Sequence, residues 1–175
     1  MYLNTYIMDL TEYESFSKQI LVMGKNLYIR LKTVSLIEKQ DSMMNKETRW
    51  QQRFQNFEKA FHQLQSAIRR FDQLDDLAKD GLVQRYEYTF ELAWKTIKDF
   101  LESKGEEEKY QRDVLKKAFQ LEIIEDGERW LEMLDKRNLM SHTYNQQTFE
   151  VVIELIREKY YPEIEKLVSF FKSTA

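Results

Sequence analysis

A regular stripe of apolar residues begins at Trp50 and constrains the fold more than any other feature of the sequence. Its members are separated by alternating steps of four and three residues, which places them on one face of an α-helix. Only 4 glycines and 1 proline occur among the 175 residues, so few positions are expected to interrupt long helices. The stripe consists of Trp50, Phe54, Phe57, Phe61, Leu64, Ile68, Phe71 and Leu74.

Four more stripes with helical spacing follow, and turn-forming or capping residues separate them. Asp80-Gly81 is predicted to end the first helix, Gly105 to end the second, and Asp126 to cap the fourth. Asn145 is a candidate cap for the fifth, which Pro162 should kink or divide because proline has no amide hydrogen. No segment shows a convincing two-residue period. The sequence therefore predicts an all-α, antiparallel up-and-down bundle of four to five helices.

The N-terminal part of the chain is patterned differently. Residues 9–30 have the spacing of an amphipathic helix, whereas residues 32–48 are polar and weakly patterned. We therefore predict two parts, an N-terminal arm or appendage helix over residues 1–43 and a helical bundle domain over residues 44–175.

Composition narrows the possible functions. The absence of cysteine excludes disulfides and thiolate metal sites, and 2 histidines are too few for a multi-histidine site; we expect no metal and no cofactor. A net charge of -3 excludes a strongly basic nucleic-acid coat, although 27 Lys and Arg leave room for a local basic site. No run approaches the ~20 apolar residues of a membrane span. With no secretory signal pattern either, we expect a cytoplasmic protein without membrane contact.

Arg137, His142 and Tyr144 form the cluster that points to chemistry. They lie within about two helical turns of a predicted helix end. Arginine offers a planar, permanently charged fork for phosphate oxygens, and histidine exchanges protons near neutral pH. Together they can act on RNA, where the histidine removes a proton from a ribose 2′-hydroxyl, and this reaction needs no metal. The spacing alone also fits a simple cation at a helix C-terminus, so both interpretations stay open at this point.

The same residues carry a family resemblance. Residues 137–144 are similar to the Arg-x4-His-x-Tyr signature of the HEPN superfamily. Together with residues 50–57 and 84–95, they make the chain resemble nucleotidyltransferase substrate-binding proteins from Met44 to the C-terminus. The resemblance implies an antiparallel helical bundle that forms a homodimer, with Arg and His of both subunits in one cleft. It also implies a minimal nucleotidyltransferase as partner.

In the toxin-antitoxin branch of that superfamily, the protein is a metal-independent ribonuclease, and the partner silences it by adding AMP to the motif tyrosine. The resemblance thus implies that Arg137 binds phosphate and stabilises the transition state. It implies that His142 is the acid-base residue and that Tyr144 accepts AMP. Asn138 matches the polar residue commonly found beside the arginine.

Two acids of the second predicted helix are weaker candidates. Glu87 and Glu91 have the charge to orient His142 or Arg137 across the cleft, and they fit ordinary surface acids equally well. His62 belongs to no motif and is expected to be structural or solvated.

Two functions follow from the resemblance. The first is a ribonuclease toxin that acts on RNA, and the second is a non-catalytic substrate-binding subunit of a two-component nucleotidyltransferase. The complete Arg, His and Tyr set favours the first, because a scaffold has no evident need for all three.

The resemblance does not explain residues 1–43. Residues 9–28 faintly resemble the C-terminal tail of a minimal nucleotidyltransferase. One interpretation is that the chain begins upstream of a customary start at Met43 or Met44; the other is an authentic extra helix packed on the bundle. Sequencing the N-terminus of the natively expressed protein distinguishes the two.

Overall fold

A computed structural model describes residues 10–140 and 146–174 of the chain. Within these ranges the chain is helical and contains no strand. A 3-10 turn at Phe71–Gln73 follows the first helix, and a π-helical turn at Ile156–Tyr160 joins the last two. The helices are α1 (Leu10–Ile68), α2 (Asp76–Ser103), α3 (Gln111–Gln120), α4 (Gly127–Met140), α5 (Gln146–Leu155) and α6 (Tyr161–Thr174).

Two compact units divide the chain, Met1–Met44 and Asn45–Ala175. Residues 32–48, which are polar and weakly patterned in sequence, are helical and belong to α1. Their composition is compatible with this, because they contain no glycine or proline and include several good helix formers, namely Lys, Glu and Met. In the first unit, Leu36, Ile37 and Met43 are exposed.

The break between the first two bundle helices lies at residues 69–75, so the prediction at Asp80-Gly81 is wrong. The carboxylate of Asp75 accepts a hydrogen bond from the Ala78 amide at 2.8 Å and caps α2. An aspartate at this position satisfies an amide that has no partner inside the helix. It therefore starts α2 before Gly81, and Leu74 lies outside α1.

Gly81 lies inside α2, where a Cβ atom would meet nothing within 4 Å. We expect Gly81→Ala to raise the free energy of unfolding by about 0.5–1 kcal/mol, because alanine loses less backbone entropy than glycine in a helix. Urea denaturation measures the change. Gly105→Ala is the matched control and should destabilise, because Gly105 has a φ of 86°. Destabilisation by Gly81→Ala would contradict its placement within the helix.

The predicted ends at Gly105 and Asp126 are confirmed. After α2, the Glu106 amide donates to the Leu101 carbonyl at 2.9 Å and the Gly105 amide donates to the Glu102 carbonyl at 3.2 Å. This pair of bonds is a Schellman motif, which favours glycine at the left-handed position. At the start of α4, the Asp126 carboxylate accepts from the Arg129 amide at 2.8 Å.

Pro162 divides the last helical run, as predicted. The Tyr161 amide reaches back to the Ile156 carbonyl, a bond over five residues that defines the π-helical turn. Proline cannot donate to the carbonyl four residues before it and also crowds that carbonyl, so the wider turn accommodates its ring. The turn brings the buried Tyr160 ring onto Tyr86 of α2, with ring centroids 5.6 Å apart.

Aromatic contacts define the direction of the helices. Trp50, in the second half of α1, contacts Phe100 near the end of α2 and Phe171 near the end of α6. Further along α1, Phe61 stacks on Tyr161 at the start of α6. The stretch of α1 from Trp50 to Phe61 therefore runs antiparallel to α6. These contacts agree with the predicted all-α antiparallel bundle, which is confirmed; dimerisation stays a prediction.

Ion pairs fix α2 against α1. The Asp99 carboxylate of α2 is almost fully buried, and it pairs with Arg53 at 2.5 Å and with Arg49 at 3.3 Å. A buried carboxylate is tolerated only with such partners. These contacts set the position of α2, which also carries half of the candidate site.

Candidate functional site

Arg137 lies in the last turn of α4, on the face that packs into the bundle. Trp130, Met133 and Leu134 of this face are buried. Position 137 follows them at intervals of seven, four and three residues, which is the spacing of one helical face. An arginine thus continues a core stripe at the end of the bundle, and its side chain is 32% exposed. The core residues of α4 therefore position this charge at the edge of the apolar interior.

Glu91 of α2 faces Arg137. Its Oε2 atom lies 3.4 Å from Arg137 Nη2 and accepts a hydrogen bond from Trp94 Nε1 at 2.9 Å. Its other oxygen, Oε1, lies 2.8 Å from Lys95 Nζ. We call these four residues, Glu91, Trp94, Lys95 and Arg137, the Glu91 cluster. The cluster joins α2 to the end of α4.

The carboxylate of Glu91 is held in its charged form. Burial raises its pKa, but the hydrogen bonds from Lys95 and Trp94 and the positive charges of Lys95 and Arg137 outweigh this effect. The net result is a pKa below the ordinary value for glutamate. At neutral pH Glu91 is therefore a fixed anion that orients the Arg137 guanidinium.

The other predicted site residues are placed as follows. Asn138 is exposed, and its Oδ1 accepts from Arg137 Nη1 at 3.4 Å. Glu87 is half-buried on α2, and within the described ranges its side chain makes no hydrogen bond or ion pair. The structure thus brings Glu91, and not Glu87, to Arg137. His142 and Tyr144 lie outside the described residues.

His62 is distant in sequence from this cluster and lies on α1. Its side chain is 54% exposed and 3.8 Å from Glu58 of the same helix. Of the two roles expected from the sequence, structural or solvated, the observed position is the solvated one.

Trp94 and Lys95 are part of the cluster, although neither is predicted from the sequence as a site residue. A signal for them exists in the sequence, because both lie within about one turn of Glu91, at positions i+3 and i+4. Side chains at these spacings meet on a helix surface. The sequence alone does not predict that Arg137 of another helix lies next to this group.

Two buried tyrosines, Tyr86 and Tyr160, stack on each other. The Tyr86 hydroxyl is buried and has no hydrogen-bond partner among the residues that the structure describes. Burial raises the pKa of Tyr86 well above its ordinary value; the neighbouring Tyr160 and the charge of Glu87 add to the increase, which Arg137 opposes. Tyr86 therefore remains neutral at physiological pH.

We expect Glu91→Gln to lower the free energy of unfolding at neutral pH by up to about 1 kcal/mol, the usual limit for a partly exposed ion pair. A depressed carboxylate pKa stabilises the fold above the ordinary glutamate pKa of about 4.3, and this contribution is lost as the pH falls through the folded-state pKa. The difference between parent and variant should therefore disappear in acid. Urea denaturation across pH measures it; a difference that persists in acid would indicate lost packing instead.

Neither a metal-binding cluster nor a membrane-spanning helix is found in the described part of the chain. It contains no group of three or more His, Cys, Asp or Glu side chains that could hold a metal ion. Its helices are all too short or too polar to cross a membrane.

The protein is an all-α helical bundle in which an arginine at the end of α4 pairs with an acid of α2, and comparison with known proteins identifies its family. The chain belongs to the family described as nucleotidyltransferase substrate binding protein like, which matches residues 52–173. The family predicted from the sequence motifs is therefore confirmed.

One curated relative is "Probable ribonuclease HepT" of Haemophilus influenzae, which is 29% identical over 86 residues. That alignment covers 44% of this chain and 59% of the relative, so the chain matches less than two thirds of the relative's length.

Two solved structures share the fold. A protein of Thermus thermophilus has a TM-score of 0.59 and 28% identity, with 65% of this chain and 96% of that chain covered. A Haemophilus influenzae protein, described as revealing the fold of a substrate binding domain of a nucleotidyltransferase, has a TM-score of 0.58 and 23% identity. That comparison covers 68% of this chain and 98% of the other. Both solved structures match over almost their full length.

Proposed function

We propose that this protein is a metal-independent ribonuclease, the toxin of a toxin-antitoxin pair, and that its partner nucleotidyltransferase silences it by adding AMP. The observation that carries the proposal is the placement of Arg137. Its guanidinium is held 3.4 Å from Glu91 at the end of a core-facing stripe, five residues before His142. A charged fork fixed in this way suits a phosphate group better than a freely rotating surface arginine does.

The reaction follows from the residue types. His142 removes the proton from a ribose 2′-hydroxyl, and the resulting oxygen attacks the adjacent phosphorus. The bond from phosphorus to the 5′-oxygen breaks, and that oxygen takes up a proton from a histidine acting as acid. The products are a 2′,3′-cyclic phosphate and a 5′-hydroxyl. Arg137 stabilises the negative charge that develops on the non-bridging oxygens.

The active unit in this proposal is a homodimer whose interface includes residues 137–144. One Arg and one His per chain make a sparse site, and a symmetric pairing doubles both because the same patch of each subunit meets. Light scattering measures the oligomeric state, and a monomer at micromolar concentration would contradict the composite site.

A metal-free cleavage assay tests the ribonuclease directly. Purified protein should cleave RNA equally well with and without EDTA, and the products should carry the cyclic phosphate. Loss of cleavage in EDTA, or intact RNA in both samples, would rule out the proposed mechanism.

The second candidate function is a non-catalytic substrate-binding subunit of a two-component nucleotidyltransferase. The family description and the Haemophilus influenzae structure described as a substrate binding domain favour it. In this role the bundle would bind the acceptor molecule, and the partner would perform the chemistry. RNA that stays intact, combined with tight binding of the unmodified chain to the nucleotidyltransferase, would support it.

Silencing by AMP predicts a modification at Tyr144. A phosphodiester attached two residues after His142 would bring negative charge near Arg137 and occupy the space of substrate phosphate. We expect co-expression with the cognate nucleotidyltransferase to raise the intact mass by one or more AMP units and to abolish cleavage. Tyr144→Phe should prevent the mass increase. An unchanged mass in the parent would contradict regulation by adenylylation.

A further inference from the structure

Trp94 differs from the other two tryptophans of the chain. Trp50 and Trp130 are completely buried, and their indole nitrogens have no hydrogen-bond partner within the described ranges. Trp94 is only half-buried, and its indole N–H donates to Glu91 at 2.9 Å. Core packing explains the first two tryptophans. Trp94 packs against the same core but stays partly exposed, and core packing alone does not account for its indole N–H being held by a site carboxylate.

The carboxylate that holds Trp94 also holds Arg137. The indole nitrogen lies 2.9 Å from Glu91 Oε2, and the guanidinium nitrogen lies 3.4 Å from the same atom. The aromatic ring and the phosphate-binding residue therefore meet at one oxygen. A single nucleotide has its phosphate and its base close enough together to touch both groups.

Lys95 completes this surface. Its ammonium group lies 5.8 Å from the centroid of the Trp94 ring and 2.8 Å from Glu91 Oε1. An aromatic ring flanked by cations is the combination that binds single-stranded nucleic acid, because bases stack on the ring and phosphates pair with the charges. RNA is also read most often in single-stranded form, where bases are free to stack on aromatic side chains.

We propose that Trp94 is a stacking platform for the nucleobase next to the phosphate that Arg137 binds, and that the ligand is single-stranded RNA. This inference rests on the proposed function, which it deepens by assigning a base-binding group to the site. Glu91 then has two tasks, because it fixes both the guanidinium and the indole. Trp94 is a binding residue here and takes no part in proton transfer.

Binding to a short single-stranded RNA with 2′-O-methyl groups tests the platform without cleavage, because the methyl groups block the attacking oxygen. Fluorescence anisotropy of the labelled RNA gives the dissociation constant. We expect Trp94→Leu in the full chain to weaken binding by about 5- to 150-fold, the range that loss of one stacked base produces. Trp94→Phe should keep most of the affinity, because it retains an aromatic face.

Phe119→Leu is the matched control. Phe119 is an aromatic residue that is 51% exposed and lies against Gly127 at the opposite end of α4 from Arg137. The control should bind RNA like the parent. Parental affinity in Trp94→Leu, or equal weakening by both leucine variants, would overturn the platform.

The intrinsic tryptophan fluorescence of the parent protein tests the platform even if Trp94→Leu fails to fold. Since Trp50 and Trp130 have no exposed surface, saturating RNA should change the emission of the parent mainly through Trp94. Unchanged emission at saturation would overturn the platform. Cleavage assays separate this result from the proposed function. If the parent cleaves RNA but shows no stacking, only the role of Trp94 is contradicted. If RNA stacks on Trp94 but is not cleaved, only the ribonuclease activity is contradicted.

Discussion

His142→Ala is expected to lower the rate of RNA cleavage by about 10²–10⁴-fold, the usual contribution of general acid-base catalysis. Alanine has no group that accepts the 2′-hydroxyl proton, so the attacking oxygen would have to lose it to water. Helicity by circular dichroism and the oligomeric state should not change. Single-turnover cleavage rates of purified parent and variant measure the effect.

His62→Ala is the matched control, because the chain has 2 histidines and the second is solvated on α1. It should cleave RNA at the parental rate. Equal loss in both variants would indicate a general effect of histidine removal and not a catalytic role for position 142.

Arg137→Lys is expected to lower the cleavage rate by about 10²–10³-fold even though it keeps the positive charge. A lysine ammonium can still pair with Glu91, but it is a point charge and does not reproduce the two parallel hydrogen bonds of a guanidinium to phosphate. The loss should be in kcat more than in KM, because the charge on phosphorus develops in the transition state. Steady-state kinetics separate the two constants.

Arg112→Lys offers a matched control for that substitution. Arg112 of α3 also pairs with an acid of a neighbouring helix, Asp135 of α4, at 2.5 Å, but it is not part of the Glu91 cluster. We expect the Arg112→Lys variant to cleave RNA at the parental rate. A double variant of Arg137→Lys and His142→Ala that cleaves as fast as the parent would identify a contaminating nuclease.

The existence of the helices and most of their ends follow from the sequence because the interactions that determine them are local. Apolar residues at steps of three and four specify a helix wherever they occur. Gly105, Asp126 and Pro162 act on amides and carbonyls only a few residues away, so their effects are readable without a partner helix. Arg137 is also predictable from the sequence, because it is the arginine of the Arg-x4-His-x-Tyr motif.

The wrong prediction of a helix end at Asp80-Gly81 shows that local sequence signals do not always determine where a helix ends. Two competing signals lie close together, the cap at Asp75 and the stop at Gly81. The Asp75 carboxylate bonds to an amide of the first turn, while Gly81 tolerates a helix at a modest cost. Phe71 and Leu74 still pack against the core, although the chain leaves α1 after Ile68.

The groups that surround Arg137 depend on how the helices pack. Glu87 and Glu91 are about one helical turn apart on α2 and look equivalent in sequence. The packing of α2 against α4, together with the ion pairs of Asp99 to α1, places Glu91 within 3.4 Å of the guanidinium. Trp94 joins the site for the same reason. Local patterns therefore specify which residue types each helix carries, whereas a contact between residues 46 positions apart requires the folded bundle, because no local interaction encodes it.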